Sequence, residues 1–119
     1  MLLTHYKVYG YADFYYREPH LSYFSRKTLG SALKKAGFVG EIGNVQRYNV
    51  LNHIHWIQTG QPQPDFKIGN ARPELVRGAK DAGGKALNNF VQKTDIEYKK
   101  VLERSWLGES LTFFGKKRF

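Results

Sequence analysis

The sequence predicts a small α/β fold, or part of a larger one, from its length, its aromatic content and its periodicity. With 119 residues the chain has the length of one small domain, and its 41% apolar and 15% aromatic residues exclude a disordered tail. Three segments have helical periodicity, whereas only two have the composition of strands. Two strands are rarely stable alone, so we expect a sheet whose other strands are missing.

The first 24 residues are predicted to form an aromatic loop or short strand. Eight of them are aromatic, without a helical period, and Pro19 interrupts the run. Tyrosine combines an apolar ring with a hydroxyl group, so such segments often line binding sites or interfaces. The alternative is a loop that packs on its own core.

A first helix is predicted from about residue 26 to residue 36. Ser25 suits the N-cap, because its hydroxyl can accept a hydrogen bond from the first turn, and Phe24 and Leu29 fit a hydrophobic staple. Gly37 fits the position just past the helix. Residues 38–48 then have the composition of a strand.

A second helix is predicted to begin after Asn49 as its cap and to end at Gly60. Residues 60–81 contain three prolines and three glycines without a sustained period, which predicts a long loop. The last helix is predicted from about 84 to 105, where apolar residues recur at helical spacing. Asp95 lies four residues before Lys99, a stabilising pair on a helix.

A short final strand is predicted from residue 110 onward. Leu111 and Phe113 would lie on one face and Phe114 on the other. Apolar side chains on both faces are typical of a strand buried between layers.

The net charge of +9 raises the attraction of the chain to any polyanion. The basic residues are spread along the whole sequence, and the one tight cluster is Lys116, Lys117 and Arg118. A nucleic-acid partner is one interpretation, and a solvated surface or an acidic partner is the other.

Several classes of function and location are excluded or disfavoured. The chain has no cysteine, so it has no disulfide framework and no thiolate zinc site. His53 and His55 point about 200° apart on a helix and cannot share a metal. No apolar run could span a membrane and no signal peptide is evident, so we expect a cytoplasmic protein.

Three segments, taken in order, carry a resemblance to a known family. Residues 20–38, HLSYFSRKTLGSALKKAGF, resemble the segment H-L-x-x-F-S-x-x-(T/S)-L-x-x-L-L-x-x-A-G-F of class I S-adenosylmethionine-dependent methyltransferases. Residues 45–48 (VQRY) and 53–62 (HIHWIQTGQP) are similar to its continuation, Q-R-Y…N-H-x-x-W-L-x-x-G-x-P. Residues 98–115 are similar to its ending. The groups concerned are methyltransferase types 11, 12 and 23, which act on small molecules.

The resemblance implies a partial Rossmann-like methyltransferase fold. Residues 38–46 and 110–117 would be the last two of seven strands, forming an antiparallel hairpin at one edge of the sheet. The strands and the glycine-rich loop that hold the cofactor lie upstream of the matching region. S-adenosylmethionine is thus expected in the complete enzyme, and neither cofactor binding nor turnover is expected for this chain alone.

The resemblance places the substrate site on residues 13–23. His20 fills the motif's histidine and would be catalytic, either positioning the acceptor or acting as a general base. The alternative is that His20 bonds a nearby backbone group. Tyr16, Arg17 and Tyr23 would bind the substrate through hydrogen bonds or charge, or else they only pack with solvated tips.

The chain is accordingly interpreted as a single domain or part-domain with four regions. These are the aromatic substrate-side loop (1–24), a helix–strand–helix unit (25–58), a long loop (59–82), and a helix with the final strand (83–119). The expected partners are a small-molecule methyl acceptor and an N-terminal cofactor-binding half. An open sheet edge also invites self-association into a dimer or a swapped assembly.

Overall fold

The fold was obtained as a computed structural model, which describes residues 1–17 and 22–118. The described part is a mixture of helices with a two-stranded antiparallel sheet, so the coarse α/β prediction is confirmed. The elements in chain order are α1 (Leu2–His5), α2 (Tyr11–Tyr15), α3 (Arg26–Lys35), β1 (Phe38–Val45), α4 (Val50–Thr59), α5 (Phe66–Asn70), α6 (Ala82–Arg104) and β2 (Ser110–Lys117).

Two of the three longer helices, α3 and α4, begin and end at the predicted signals. Ser25 accepts a hydrogen bond from the Thr28 amide at 3.1 Å, and the Thr28 side chain bonds back to the Ser25 amide. The backbone of Gly37 then turns at φ 81°. Asn49 caps α4, and Gly60 ends it at φ 63°. The ends are fixed by short-range hydrogen bonds and backbone freedom, which is why the sequence predicts them.

The two strands pair in an antiparallel register that runs from Phe38 opposite Lys117 to Val45 opposite Ser110. Gly40 lies opposite Gly115, where a Cβ on Gly40 would come within 2.2 Å of the Phe114 carbonyl oxygen. The two glycines therefore allow the backbones to approach closely, and the ring of Phe113 covers them.

Helix α3 covers one face of this sheet, with Gly30 packed close to Ile42. On the other face Phe114 is 89% exposed. Within the described chain β2 is thus covered on one side only, and the two-sided apolar pattern of its sequence is not matched by two covering layers.

The prediction of a loop or short strand over residues 1–24 is wrong for residues 2–5 and 11–15. Two short helices, α1 and α2, pack on α4 instead, and Leu3, Tyr11 and Trp56 form a buried cluster. Helices of four or five residues are unstable in isolation, so they depend on this burial rather than on local signals. A periodicity test over so few residues could not detect them.

The long loop predicted over residues 59–82 also contains a short helix, α5, which the sequence did not indicate. Asn49, which is 1% exposed, holds this region against the start of α4. Its side-chain amide donates to the carbonyls of Ile68 at 2.9 Å and Ala71 at 3.0 Å. Its backbone N–H donates to the carbonyl of Gly69 at 2.7 Å.

The molecule is more extended than a complete domain of its length. Its radius of gyration is 17.2 Å, against about 13.5 Å for a compact chain of 119 residues. Its accessible surface is 8927 Å², against about 6600 Å² for a folded monomer of 13.8 kDa. Roughly 2300 Å² of surface is therefore in excess of what a self-contained protein of this mass exposes.

Part of the exposed apolar surface lies on α6. The buried side of α6 carries Val91 and Leu102, in line with the predicted periodicity. The adjacent sector, about 60° wide, carries Leu87, Phe90 and Val101, which are all at least half exposed. We refer to these three residues as the exposed α6 stripe. No helix among the described residues is long and apolar enough to cross a membrane.

Candidate functional site

Glu109 ties the carboxyl end of β1 to the start of β2. Its Oε1 accepts hydrogen bonds from the backbone N–H groups of Arg47 at 3.0 Å and Tyr48 at 3.2 Å. Its Oε2 accepts from Nε2 of Gln46 at 3.1 Å. Burial raises the pKa of Glu109, and these three hydrogen bonds oppose the rise. The carboxylate is thereby held in a fixed orientation at the end of the sheet.

A cleft of about 470 Å³ opens beside Glu109, and we call it the aromatic cleft. Its inner wall forms because α2 packs against α4. The rings of Tyr11 and Trp56 meet edge to face with their centres 5.0 Å apart. The centre of the Phe14 ring lies 5.1 Å from that of Trp56. The cleft is lined by Tyr11, Phe14, Tyr15, Arg17, Arg47, Tyr48, Asn52, Trp56, Pro62, Gln63, Phe66, Asn70, Glu109 and Ser110.

The charged groups of the aromatic cleft are two arginines and Glu109. The Arg17 guanidinium lies 4.5 Å from the centre of the Phe14 ring. Neither Arg17 nor Arg47 forms an ion pair with any described residue. Burial raises the pKa of Tyr11 and of Tyr15, and the charge of Glu109 raises both further. The tyrosines are therefore neutral hydrogen-bonding groups rather than bases.

The structure distributes the sequence-predicted site residues over two places. Arg17 lines the aromatic cleft, whereas Tyr16 and Tyr23 line a second cleft of about 880 Å³. The rings of Tyr16 and Tyr23 are 4.7 Å apart, and the Tyr23 hydroxyl donates to the carbonyl of Tyr15 at 2.9 Å. His20 lies outside the described residues. The roles assigned to all four stay predictions.

Trp106 lines the second cleft and has an unusual backbone conformation. Trp106 follows the cap of α6 at φ 56°, a position that normally requires glycine. The Leu107 amide donates to the Leu102 carbonyl at 2.8 Å, which completes a Schellman ending. The indole lies under the Arg26 guanidinium at 3.9 Å, so this strained residue connects α6 to α3.

The sequence patterns did not indicate Glu109 or Arg47 as site residues. They also did not indicate the inner wall of the aromatic cleft, which Tyr11, Phe14 and Trp56 form. One signal was available, because Arg47 follows the carboxyl end of the first strand and Glu109 directly precedes the second. In α/β sheets, ligands bind outside the carboxyl ends of the strands. Tyr11 and Trp56 carried no such signal, since their meeting depends on how α2 packs on α4.

His53, on the buried side of α4, belongs to a polar network rather than to a metal site. Its Nδ1 lies 2.5 Å from the hydroxyl of Tyr98, and Gln46 is close to its Nε2. Burial lowers the pKa of His53 to about 4, and the charge of nearby Asp95 opposes this. No group of three or more potential metal-ligating side chains occurs among residues 1–17 and 22–118.

The described glycines do not fit a cradle for S-adenosylmethionine. Gly84, in the first turn of α6, is closed off by its own chain, since a Cβ there would lie 2.6 Å from that of Ala79. Gly40 and Gly43 face β2 across the sheet. None of these glycines opens a helix after a strand, the arrangement that a cofactor's ribose and amino-acid groups require.

Comparisons of the chain with protein families, with curated proteins and with solved structures give no match.

Proposed function

We propose that this chain is the C-terminal, substrate-side part of an S-adenosylmethionine-dependent methyltransferase that acts on a small molecule. The observation that carries this proposal is the position of the aromatic cleft. The cleft opens where β1 ends at Val45 and where Arg47 and Tyr48 follow. In the proposed fold β1 runs parallel to the missing strands, and ligands bind outside the carboxyl ends of such strands.

The proposal assigns the cofactor to a second, N-terminal half that packs against this chain. The excess surface of roughly 2300 Å² is within the range that permanent interfaces bury. The outer edge of β2 has no neighbouring strand among the described residues, and a further strand of the complete sheet would pair there. The exposed α6 stripe would be covered by the same half.

The roles of the residues in this chain follow from the needs of methyl transfer. The cofactor supplies an activated methyl group, so the protein contributes mainly by positioning an acceptor in line with it. Arg17, Arg47 and the aromatic walls would orient the acceptor. His20 remains the predicted catalytic residue, as positioner or general base.

The proposal is tested by titrating S-adenosylmethionine calorimetrically into two samples. One is the 119-residue chain, and the other is the same chain joined to the segment encoded immediately upstream of it. We expect saturable binding to the joined protein and none at micromolar concentrations to the chain alone. Saturable micromolar binding to the chain alone would overturn the assignment of the cofactor to a separate N-terminal half. No binding to either protein would overturn the methyltransferase proposal.

A further inference from the structure

The aromatic cleft has a net positive charge at its mouth. Arg17 and Arg47 are both exposed and have no ion-pair partner among the described residues. A carboxylate offers about four acceptor positions, and three of those of Glu109 are taken by N–H donors. Within its described lining the cleft therefore has two guanidinium groups outside any ion pair and little remaining capacity to bind a cation.

The interior of the same cleft is built for a flat apolar group. Tyr11 is 7% exposed and Trp56 is 3% exposed, so both rings are fixed by packing. Aromatic groups prefer edge-to-face and offset contacts with such rings. A volume of about 470 Å³ lies within the usual range for small-molecule sites.

We propose that the aromatic cleft binds a small aromatic carboxylate. The ring of the ligand packs against Tyr11, Phe14 and Trp56, and its carboxylate pairs with the guanidinium groups of Arg17 and Arg47. An arginine can hold a carboxylate through two parallel hydrogen bonds, which fixes the orientation of the ring. That such a ligand is the methyl acceptor rests on the proposed function, whereas its binding to this chain does not.

Three ligands of nearly equal shape test this inference on the full chain. These probes are 4-hydroxybenzoate, its neutral amide 4-hydroxybenzamide, and the cationic 4-hydroxybenzylamine. Trp56 lines the cleft, so its indole N–H resonance in a 15N-labelled sample reports binding without any substitution. We expect saturable shifts with the carboxylate, affinity for the amide about tenfold lower, and no binding of the amine.

Matched substitutions separate the cleft arginines from general surface charge. Arg47→Gln should weaken binding of 4-hydroxybenzoate about fivefold, because one of two exposed charge partners is removed. Arg118→Gln removes an exposed arginine at the opposite end of the two-stranded sheet and should leave the affinity unchanged. Trp106→Phe serves as an alternative sample in which Trp56 is the one remaining tryptophan, so that fluorescence can replace resonance shifts.

Equal affinity for the carboxylate and the amide, or equal effects of Arg47→Gln and Arg118→Gln, would overturn the inference. Either result would leave the proposed function intact. Conversely, tight carboxylate binding together with failure of the joined protein to bind S-adenosylmethionine would support the inference and refute the proposed function.

Discussion

At the scale of single residues, the chain buries polar side chains at least as freely as apolar ones. Among the described residues, the buried polar group includes Gln46, Asn49, Asn52, His53, Asn88 and Asp95. Most of their polar atoms have partners, such as Oδ1 of Asp95, which accepts from the Val50 amide at 2.7 Å. Buried polar groups add little net stability but cost much when a partner is lost. Substitutions of these buried polar residues should therefore be unusually disruptive.

The pH dependence of stability should show the effect of His53. Its folded-state pKa of about 4 lies below the value of about 6.5 expected in the unfolded chain. The unfolded state therefore binds a proton first, and stability that is fully present above pH 6.5 declines as the pH falls toward 4. Between pH 7.5 and pH 5 this one group should cost about 2 kcal/mol of the free energy of unfolding.

Urea unfolding of the chain and of His53→Gln at these two pH values measures that contribution. The variant should be less stable at pH 7.5, because it disturbs the contact with Tyr98. It should nevertheless lose about 2 kcal/mol less than the parent chain on acidification. An identical loss in both proteins would show that His53 titrates normally in the folded state.

At the scale of elements, sequence and structure agree wherever a local interaction fixes the result. The caps at Ser25 and Asn49 and the turns at Gly37 and Gly60 depend on residues within a few positions, and all four are confirmed. The ion pair between Asp95 and Lys99, at 3.1 Å, is also local and confirmed. These signals are readable because neighbours in sequence are also neighbours in space.

The elements that the sequence missed are those held by distant residues. Helix α2 depends on contacts of Tyr11 with Trp56, 45 positions away. Helix α5 depends on Asn49, about twenty positions before it. Glu109 and Arg47 could be placed near strand ends from the sequence. The aromatic wall beside them could not, because it depends on residues that are distant in sequence. Packing between elements carries no periodic signature.

Asn49 should consequently be more important than an ordinary cap. Asn49→Ala removes the cap of α4 and leaves the carbonyls of Ile68 and Ala71 without their donor. We expect a loss of about 2–3 kcal/mol in the free energy of unfolding. Ser25→Ala is the matched control, since Ser25 caps α3 at an exposed position and its loss should cost about 1 kcal/mol.

Urea denaturation of the two variants shows whether Asn49 also holds α5 or acts only as a helix cap. A loss for Asn49→Ala equal to that for Ser25→Ala would mean that the bonds from Asn49 to α5 contribute nothing. In that case contacts other than those of Asn49 would hold α5 against the start of α4.

At the scale of the whole molecule, the dominant feature is apolar surface that nothing in the described chain covers. Phe90 on α6 and Phe114 on β2 are 68% and 89% exposed. Apolar side chains left in water cost about 25 cal/mol for each square ångström of exposed surface, and exposed apolar patches commonly mark interaction sites. We therefore expect another polypeptide segment to cover it.

A second copy of the chain is the competing occupant of this surface. The open edge of β2 could pair with its counterpart in another molecule, giving the dimer or swapped assembly that the sequence predicts. In the absence of the cofactor half, we expect such self-association. The methyltransferase proposal requires that the cofactor half displace it.

The central claim is tested most directly by sedimentation velocity on this chain co-expressed with the segment encoded upstream of it as a separate polypeptide. The account predicts a 1:1 complex that Phe90→Ser abolishes. Ile96→Ser, the same kind of change at a 54% exposed position about 120° around α6 from Phe90, should leave the complex intact. A homodimer of this chain that excludes the upstream segment, or a complex equally insensitive to both substitutions, would contradict the claim.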